Sequence, residues 1–205
     1  KDYNKICKYK LKDKRIRIIK NKKNLGAGQS RNIGIKKSKG ELIAFLDADD
    51  YWNKNKISEQ IKFMNKMSAK FVHCSYFIVN KKNRVLGERI SPKLINYSDL
   101  LNSCDIGLST VLIDKKIIKN ISFPKLKTKE DYVMWLKLSK NKVKIYGMKN
   151  RLVYWRSLDS SLSSSILQKI IDGYRVYRVY LRKSILTSIL SLIILSLNFL
   201  KKKYR

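Results

Sequence analysis

The sequence predicts an α/β protein built on an open sheet and followed by a helical tail. Three stretches predict it. Glu41-Leu42-Ile43-Ala44-Phe45-Leu46-Asp47-Ala48-Asp49-Asp50 runs mostly apolar residues into three carboxylates after Gly40, the pattern of a buried strand. Ile57, Ile61 and Met64 then recur at helical spacing, with Lys54, Lys56, Glu59, Lys62 and Lys66 outside that face. Phe71 to Val79 reads as a further strand, a polar turn follows at Asn80 to Asn83, and Val85 to Ile90 forms its hairpin partner.

The remaining elements follow in order. Tyr3, Cys7 and Leu11 at four-residue spacing predict a short amphipathic helix over residues 1–11. Arg15 to Ile19 alternates charged and apolar residues and predicts a strand, with a polar turn at Asn21 to Asn24. Asn24-Leu25-Gly26-Ala27-Gly28-Gln29-Ser30-Arg31-Asn32-Ile33-Gly34 has the look of a phosphate loop. It fails the dinucleotide fingerprint, because Arg31 stands where the third glycine belongs, and it lacks the Gly-Lys-Ser/Thr of the Walker loop. It reads instead as a glycine turn into a helix ending near Ser38. Arg31 on that helix is placed to pair with a phosphate or with Asp47. Tyr97 to Leu101 predicts a short helix, Cys104 to Thr110 a loop and Thr110 to Ile113 a strand.

Two acidic spots stand out in a chain with 47 Lys and Arg against 15 Asp and Glu, a net charge of +32. In the first, side chains at i and i+2 of an extended chain point the same way, so Asp47 and Asp49 lie together. Two such carboxylates repel unless a proton or cation sits between them, and the crevice beyond strand carboxyl ends is where open α/β sheets bind ligands. A divalent-metal site serving a phosphorylated substrate is the expectation. Asp50 or Asn53 suits a cap for the helix that follows. In the second spot, Thr128-Lys129-Glu130-Asp131, Thr128 and Asp131 fit a capping box.

The basic excess is mostly lysine spread evenly along the chain, a compositional bias more than a patch, and no nucleic-acid motif accompanies it. A polyanion-binding module is therefore the lesser alternative. Cys7, Cys74 and Cys104 are odd in number and far apart, and His73 is the only histidine, which excludes a Cys/His zinc site and fits a reducing cytoplasm. No apolar leader opens the sequence.

With both acidic spots in view, the chain resembles the family 2 glycosyltransferases. The resemblance rests on Asn24-Leu25-Gly26, Ser30-Arg31-Asn32, Gly40-Glu41, Phe45-Leu46-Asp47-Ala48-Asp49-Asp50 with Trp52, Glu130-Asp131 with Trp135-Leu136, and Trp155-Arg156 with Ser160 to Ser163. It implies the GT-A fold, a Rossmann-like mixed sheet flanked by helices, over residues 1–163. It further implies inverting transfer of a sugar from a nucleotide-diphosphate donor to a hydroxyl of a saccharide or lipid-linked saccharide. The expected setting is bacterial surface polysaccharide or lipopolysaccharide synthesis. By resemblance, Asp47 and Asp49 form the Asp-x-Asp motif that holds Mn²⁺ or Mg²⁺ on the diphosphate. Asp131 is the general base, with Glu130 as second candidate, while Arg31 and Arg156 bind the nucleotide sugar. Two departures matter. The family's first strands, which grip the nucleotide, are expected before Lys1, so an N-terminal truncation that impairs activity is the expectation, with a non-catalytic fragment as the alternative. Leu158 also stands where many relatives have a histidine near the metal.

Residues 164–205 form the tail. Leu167, Ile170, Ile171, Tyr174, Tyr177 and Leu181 mark one side of a helix spanning residues 163–183, with Arg175, Arg178 and Arg182 on another. Ser184 to Leu200 is the most apolar stretch, and its Ser184, Thr187, Ser188, Ser191 and Asn198 share one narrow face. That stripe favours a helix lying in a membrane interface over one spanning it or packed on the domain or a second subunit. Basic flanks, Arg182-Lys183 and Lys201 to Lys203 with Arg205, favour the anionic cytoplasmic leaflet. A peripheral location on the inner face of the membrane is expected, with a homo-oligomer as a further partner.

Overall fold

The computed structural model describes residues 2–158 and 165–203. Helix α1 (Asp2–Lys12) leads through an extended segment to α2 (Ala27–Lys37), then β1 (Leu42–Ala44), β2 (Tyr51–Trp52) and α3 (Lys56–Met67). The hairpin β3 (Phe71–Val79) and β4 (Val85–Arg89) follows, then β5 (Leu94–Ile95), α4 (Tyr97–Asn102) and β6 (Leu112–Asp114). Last come α5 (Glu130–Lys140), β7 (Ile145–Arg156), α6 (Ile166–Arg175), a π-helical turn at Val176–Tyr180 and α7 (Ile185–Lys203).

The strands form one mixed sheet in the order β1-β6-β3-β7-β2, with β4 on β3 and β5 on β7. The central pair, β3 and β7, is parallel, and every other pairing is antiparallel. Phe71, Val72, His73, Cys74 and Ser75 of β3 are all buried, as expected of a strand covered on both faces. The β3–β4 turn forms as its sequence predicts: Asn80 Oδ1 accepts the amides of Lys82 and Arg84, and Asn83 takes φ 63°.

The main core gathers around Trp135 of α5. Its ring lies 5.0 Å from Phe71, 6.5 Å from Phe45 and 6.4 Å from Phe123, and Phe45 meets Phe123 edge-on at 5.5 Å. Phe45 immediately precedes the acidic turn, so this cluster anchors the end of β1 to α5. Truncating a buried aromatic of this kind costs about 3–5 kcal/mol.

Several expectations are corrected. Arg15–Ile19 is not a strand, for it finds no ladder partner among the described residues. Leu11 of α1 is exposed rather than packed. On α3 the buried face is Lys56, Gln60 and Met64, while Ile61 is exposed. Lys56 is fully buried because its ammonium reaches Gln60 Oε1 at 2.7 Å and lies 4.1 Å above the Trp52 ring. Burial lowers its pKa to about 8. The tail helix breaks at Arg182, where φ is 55°. On α6 the buried side carries Asp172 and Gly173, leaving Leu167, Ile170 and Ile171 exposed.

Candidate active site

Helix α2 is delivered to the site by two glycines. Gly26 takes φ 77° and ψ 167° ahead of the helix, a conformation suited to glycine. At Gly28 an added Cβ would lie 3.0 Å from the Pro124 carbonyl and 3.1 Å from Glu130 Cγ. The Gly-Ala-Gly stretch therefore serves close packing of α2 on the 123–130 segment. Asn32 completes the grip, accepting from the Phe123 amide and donating to its carbonyl, both at 2.9 Å.

This packing sets Arg31 between the two acidic spots. Its guanidinium reaches Asp47 Oδ1 at 2.7 Å and also pairs with Glu130 Oε1. Burial opposes the charge, but the two carboxylates outweigh it and the guanidinium pKa is raised. Of the two pairings the sequence offered Arg31, the one with Asp47 is present.

The acidic stretch is a turn, not extended strand. Strand β1 ends at Ala44, and the Asp50 amide donates to the Asp47 carbonyl at 3.1 Å. Ser109, a residue the sequence did not single out, ties this turn down. Its hydroxyl accepts from the Asp47 amide at 3.1 Å and donates to Asp50 Oδ2 at 2.6 Å, while its carbonyl accepts from Trp52 Nε1. Asp50 also accepts from the Arg156 amide at 2.9 Å. It is buried and caps no helix, because its carboxylate joins three segments instead. Burial pushes its pKa up to about 6 against those two hydrogen bonds. The Asp49 carboxylate makes no hydrogen bond or ion pair with the described residues.

The capping box at the second spot does not form. Lys129, at φ 61°, precedes α5 without a side-chain cap. Thr128 points elsewhere, donating its amide and hydroxyl to Asp172 of α6 at 2.9 and 3.1 Å. Asp131 Oδ1 accepts only the neighbouring Tyr132 amide, at 2.7 Å. Burial first, and then the Glu130 charge beside it, raises the Asp131 pKa to about 6. Arg31, Asp47, Glu130 and Asp131 thus stand in one cluster. The Arg156 guanidinium lies apart from it, 2.9 Å from Asn83 Oδ1 and 5.8 Å from the Tyr51 ring centre. Among the described residues its backbone amide, bonded to Asp50, is what ties it to the acidic turn. Ser160 to Ser163 lie outside the described residues.

No group of three or more His, Cys, Asp or Glu side chains able to hold a metal exists among the described residues. The donor set suits a different arrangement. A hard cation accepts one or two carboxylates and completes its shell with water and substrate phosphates. Asp49, with both oxygens uncommitted, and Asp47, with one oxygen on Arg31, fit that division.

Comparison with known proteins agrees with this geometry. A family model described as glycosyl transferase family 2 matches residues 2–122. The chain is 41% identical over 169 residues to WfaP of Escherichia coli, named a UDP-Glc:alpha-D-GlcNAc-diphosphoundecaprenol beta-1,3-glucosyltransferase. That match covers 82% of this chain and 66% of WfaP. WfgD of Escherichia coli, which bears the same activity name, is 36% identical over 77% of this chain and 62% of its own length. The chain therefore spans slightly less than two thirds of these curated relatives. Among solved structures, S. aureus TarS 1-349 in complex with UDP-GlcNAc superposes with a TM-score of 0.69 at 18% identity. It covers 94% of this chain and 58% of TarS 1-349, and shows that the mixed sheet and its flanking helices are the GT-A fold. With the family match spanning more than half its length, the chain belongs to glycosyl transferase family 2.

Proposed function

We propose that this chain carries the metal-binding and acceptor-activating part of an inverting glycosyltransferase. It moves a sugar from a nucleotide-diphosphate donor to a hydroxyl acceptor in bacterial surface polysaccharide or lipopolysaccharide synthesis. The observation that carries this reading is the Arg31 bridge, which draws Asp47 and Glu130 together beside Asp131. The names of WfaP and WfgD favour UDP-glucose as donor and a lipid-diphosphate-linked saccharide as acceptor.

Asp131 takes the proton from the acceptor hydroxyl, since a carboxylate titrating near 6 is ionised at neutral pH and still basic enough to accept it. Glu130 is held by Arg31, which leaves Asp131 the freer carboxylate for this role. Asp49 and Asp47 would hold Mn²⁺ or Mg²⁺, which would supply Lewis-acid neutralisation of the departing diphosphate. Arg31 and Arg156 add positive charge on the donor side, Arg156 from its seat on Tyr51. Residues 1–163 carry the transfer, and residues 164–205 hold the protein peripherally on the cytoplasmic face of the membrane.

The test is transfer from UDP-glucose by the full-length protein with Mn²⁺, comparing Asp49→Ala and Asp131→Ala with the parent. Both substitutions abolish transfer while the far-UV circular dichroism is unchanged. Full activity in both would overturn the assignment.

A further inference from the structure

Helix α7 sits on the domain with its polarity reversed. At 3.6 residues per turn, Ser188, Ser191, Leu195, Asn198 and Lys202 share an arc roughly 80° wide, and this arc faces the protein. Ser188 is fully buried and Leu195 is 6% exposed. Asn198 Nδ2 donates to the Asn102 carbonyl at 3.0 Å, and Lys202 reaches Ser103 and Asp105. Gly173 of α6 lets the two helices close, for a Cβ there would meet Leu192 Cδ1 at 2.7 Å. The opposite half of α7 is apolar and open: Leu186 is 68% exposed, Leu197 53% and Leu190 51%, with Ile189 and Ile193 between them. Its antiparallel neighbour α6 exposes Ile166, Leu167 and Ile170 as well.

We infer that this outward half of the α6–α7 hairpin is a docking face for an anionic lipid surface, into which Leu186, Ile189, Leu190, Ile193 and Leu197 insert. Charge selects the occupant. Residues 165–203 contain eight Lys and Arg and one acid, Asp172, which is buried beneath α6. A second copy would bring the same positive collar, whereas anionic headgroups complement it. A spanning orientation would strip Asn198 and Lys202 from their partners on the domain, while an interfacial one keeps them. This surface gives the peripheral location proposed above a physical basis, and it rests on that reading only for which leaflet is met.

The test uses the full chain with phosphatidylcholine vesicles, with and without phosphatidylglycerol, read by co-sedimentation. The parent binds the phosphatidylglycerol vesicles. I189E with I193E, both at exposed positions, lowers binding at least about tenfold with the helical circular dichroism retained. Lys201→Gln lowers it about fivefold. Absence of vesicle binding, or binding untouched by I189E with I193E, overturns the proposal. So does a parent dimer in sedimentation velocity that dissociates in that variant while vesicles stay unbound. Transfer by the parent is followed in parallel: a parent that transfers sugar but binds no vesicles removes this face alone, and a parent that binds vesicles but transfers no sugar removes the catalytic reading alone.

Discussion

The two acidic spots solve the same problem differently, and their comparison shows how neighbouring carboxylates divide their work. At the 47–50 turn, Asp50 faces inward and satisfies Ser109 and the Arg156 amide, while Asp49 has no partner among the described residues. At the start of α5, Glu130 faces inward and pairs with Arg31, while among the described residues Asp131 holds only a neighbouring amide. Each spot has one acid that fixes the backbone and one that remains available for chemistry. Asp47 joins the two, because it shares Arg31 with Glu130.

The largest effect expected from this division is on rate. Asp131→Asn should lower transfer at least about 100-fold, the contribution of a positioned general base, with protein–donor affinity by calorimetry nearly unchanged. Equal losses of rate in Glu130→Gln and Asp131→Asn, with unaltered stability in both, would break the division. Next comes stability. Asp50→Ala leaves the Ser109 hydroxyl and the Arg156 amide without an acceptor and should cost about 1–3 kcal/mol in urea unfolding. Glu130→Ala, which strands one side of Arg31, should cost about 2 kcal/mol.

The smallest effect concerns pH. Asp50 and Asp131 both have folded pKa values raised to about 6. A carboxyl raised in this way favours the fold most below its unfolded pKa, and that advantage is lost as pH rises through about 6. Replacing Asp131 with Asn should therefore raise the melting temperature at pH 7.5, by about 3 °C, and leave it nearly unaltered at pH 4. With Asp131 as the proposed base, transfer should also fall as pH drops through about 6. A gain in melting temperature of equal size at both pH values would show that Asp131 is ionised without cost in the folded protein.

Much of this was legible in the residues. Order and spacing of the short motifs identified the family and the fold, and the asparagine-rich turn announced the β3–β4 hairpin. Arg31 was legible as a partner for Asp47 because helix spacing carried it to the end of an acidic strand. What was illegible depends on contacts from distant segments. Nothing local distinguishes Asp50 from Asp49, since the difference is made by Ser109 and the end of β7. Thr128 and Asp131 have capping-box spacing, but Asp172, far along the chain, takes the Thr128 hydroxyl. Lys56 was assigned to the wet side of α3 because a lysine reads as exposed until a carbonyl, an amide side chain and an indole face are brought to it. The polar stripe of α7 is legible in the sequence, but that it is the side turned to the domain is not. Periodicity shows that a helix has two faces, but not which one meets its own domain.

The seam between α6 and the segment before α5 has a practical side. Asp172 holds Thr128, and the Tyr177 hydroxyl donates to the Leu101 carbonyl at 2.7 Å while lying 3.1 Å from the Tyr132 hydroxyl. Shortening the protein at residue 163 to make it more soluble would leave the Thr128 hydroxyl without its acceptor and the Leu101 carbonyl without its donor, and would open the core where Val176 and Leu195 sit. Covering the exposed apolar side of α7, not truncation, is the route to a well-behaved sample for crystals or grids.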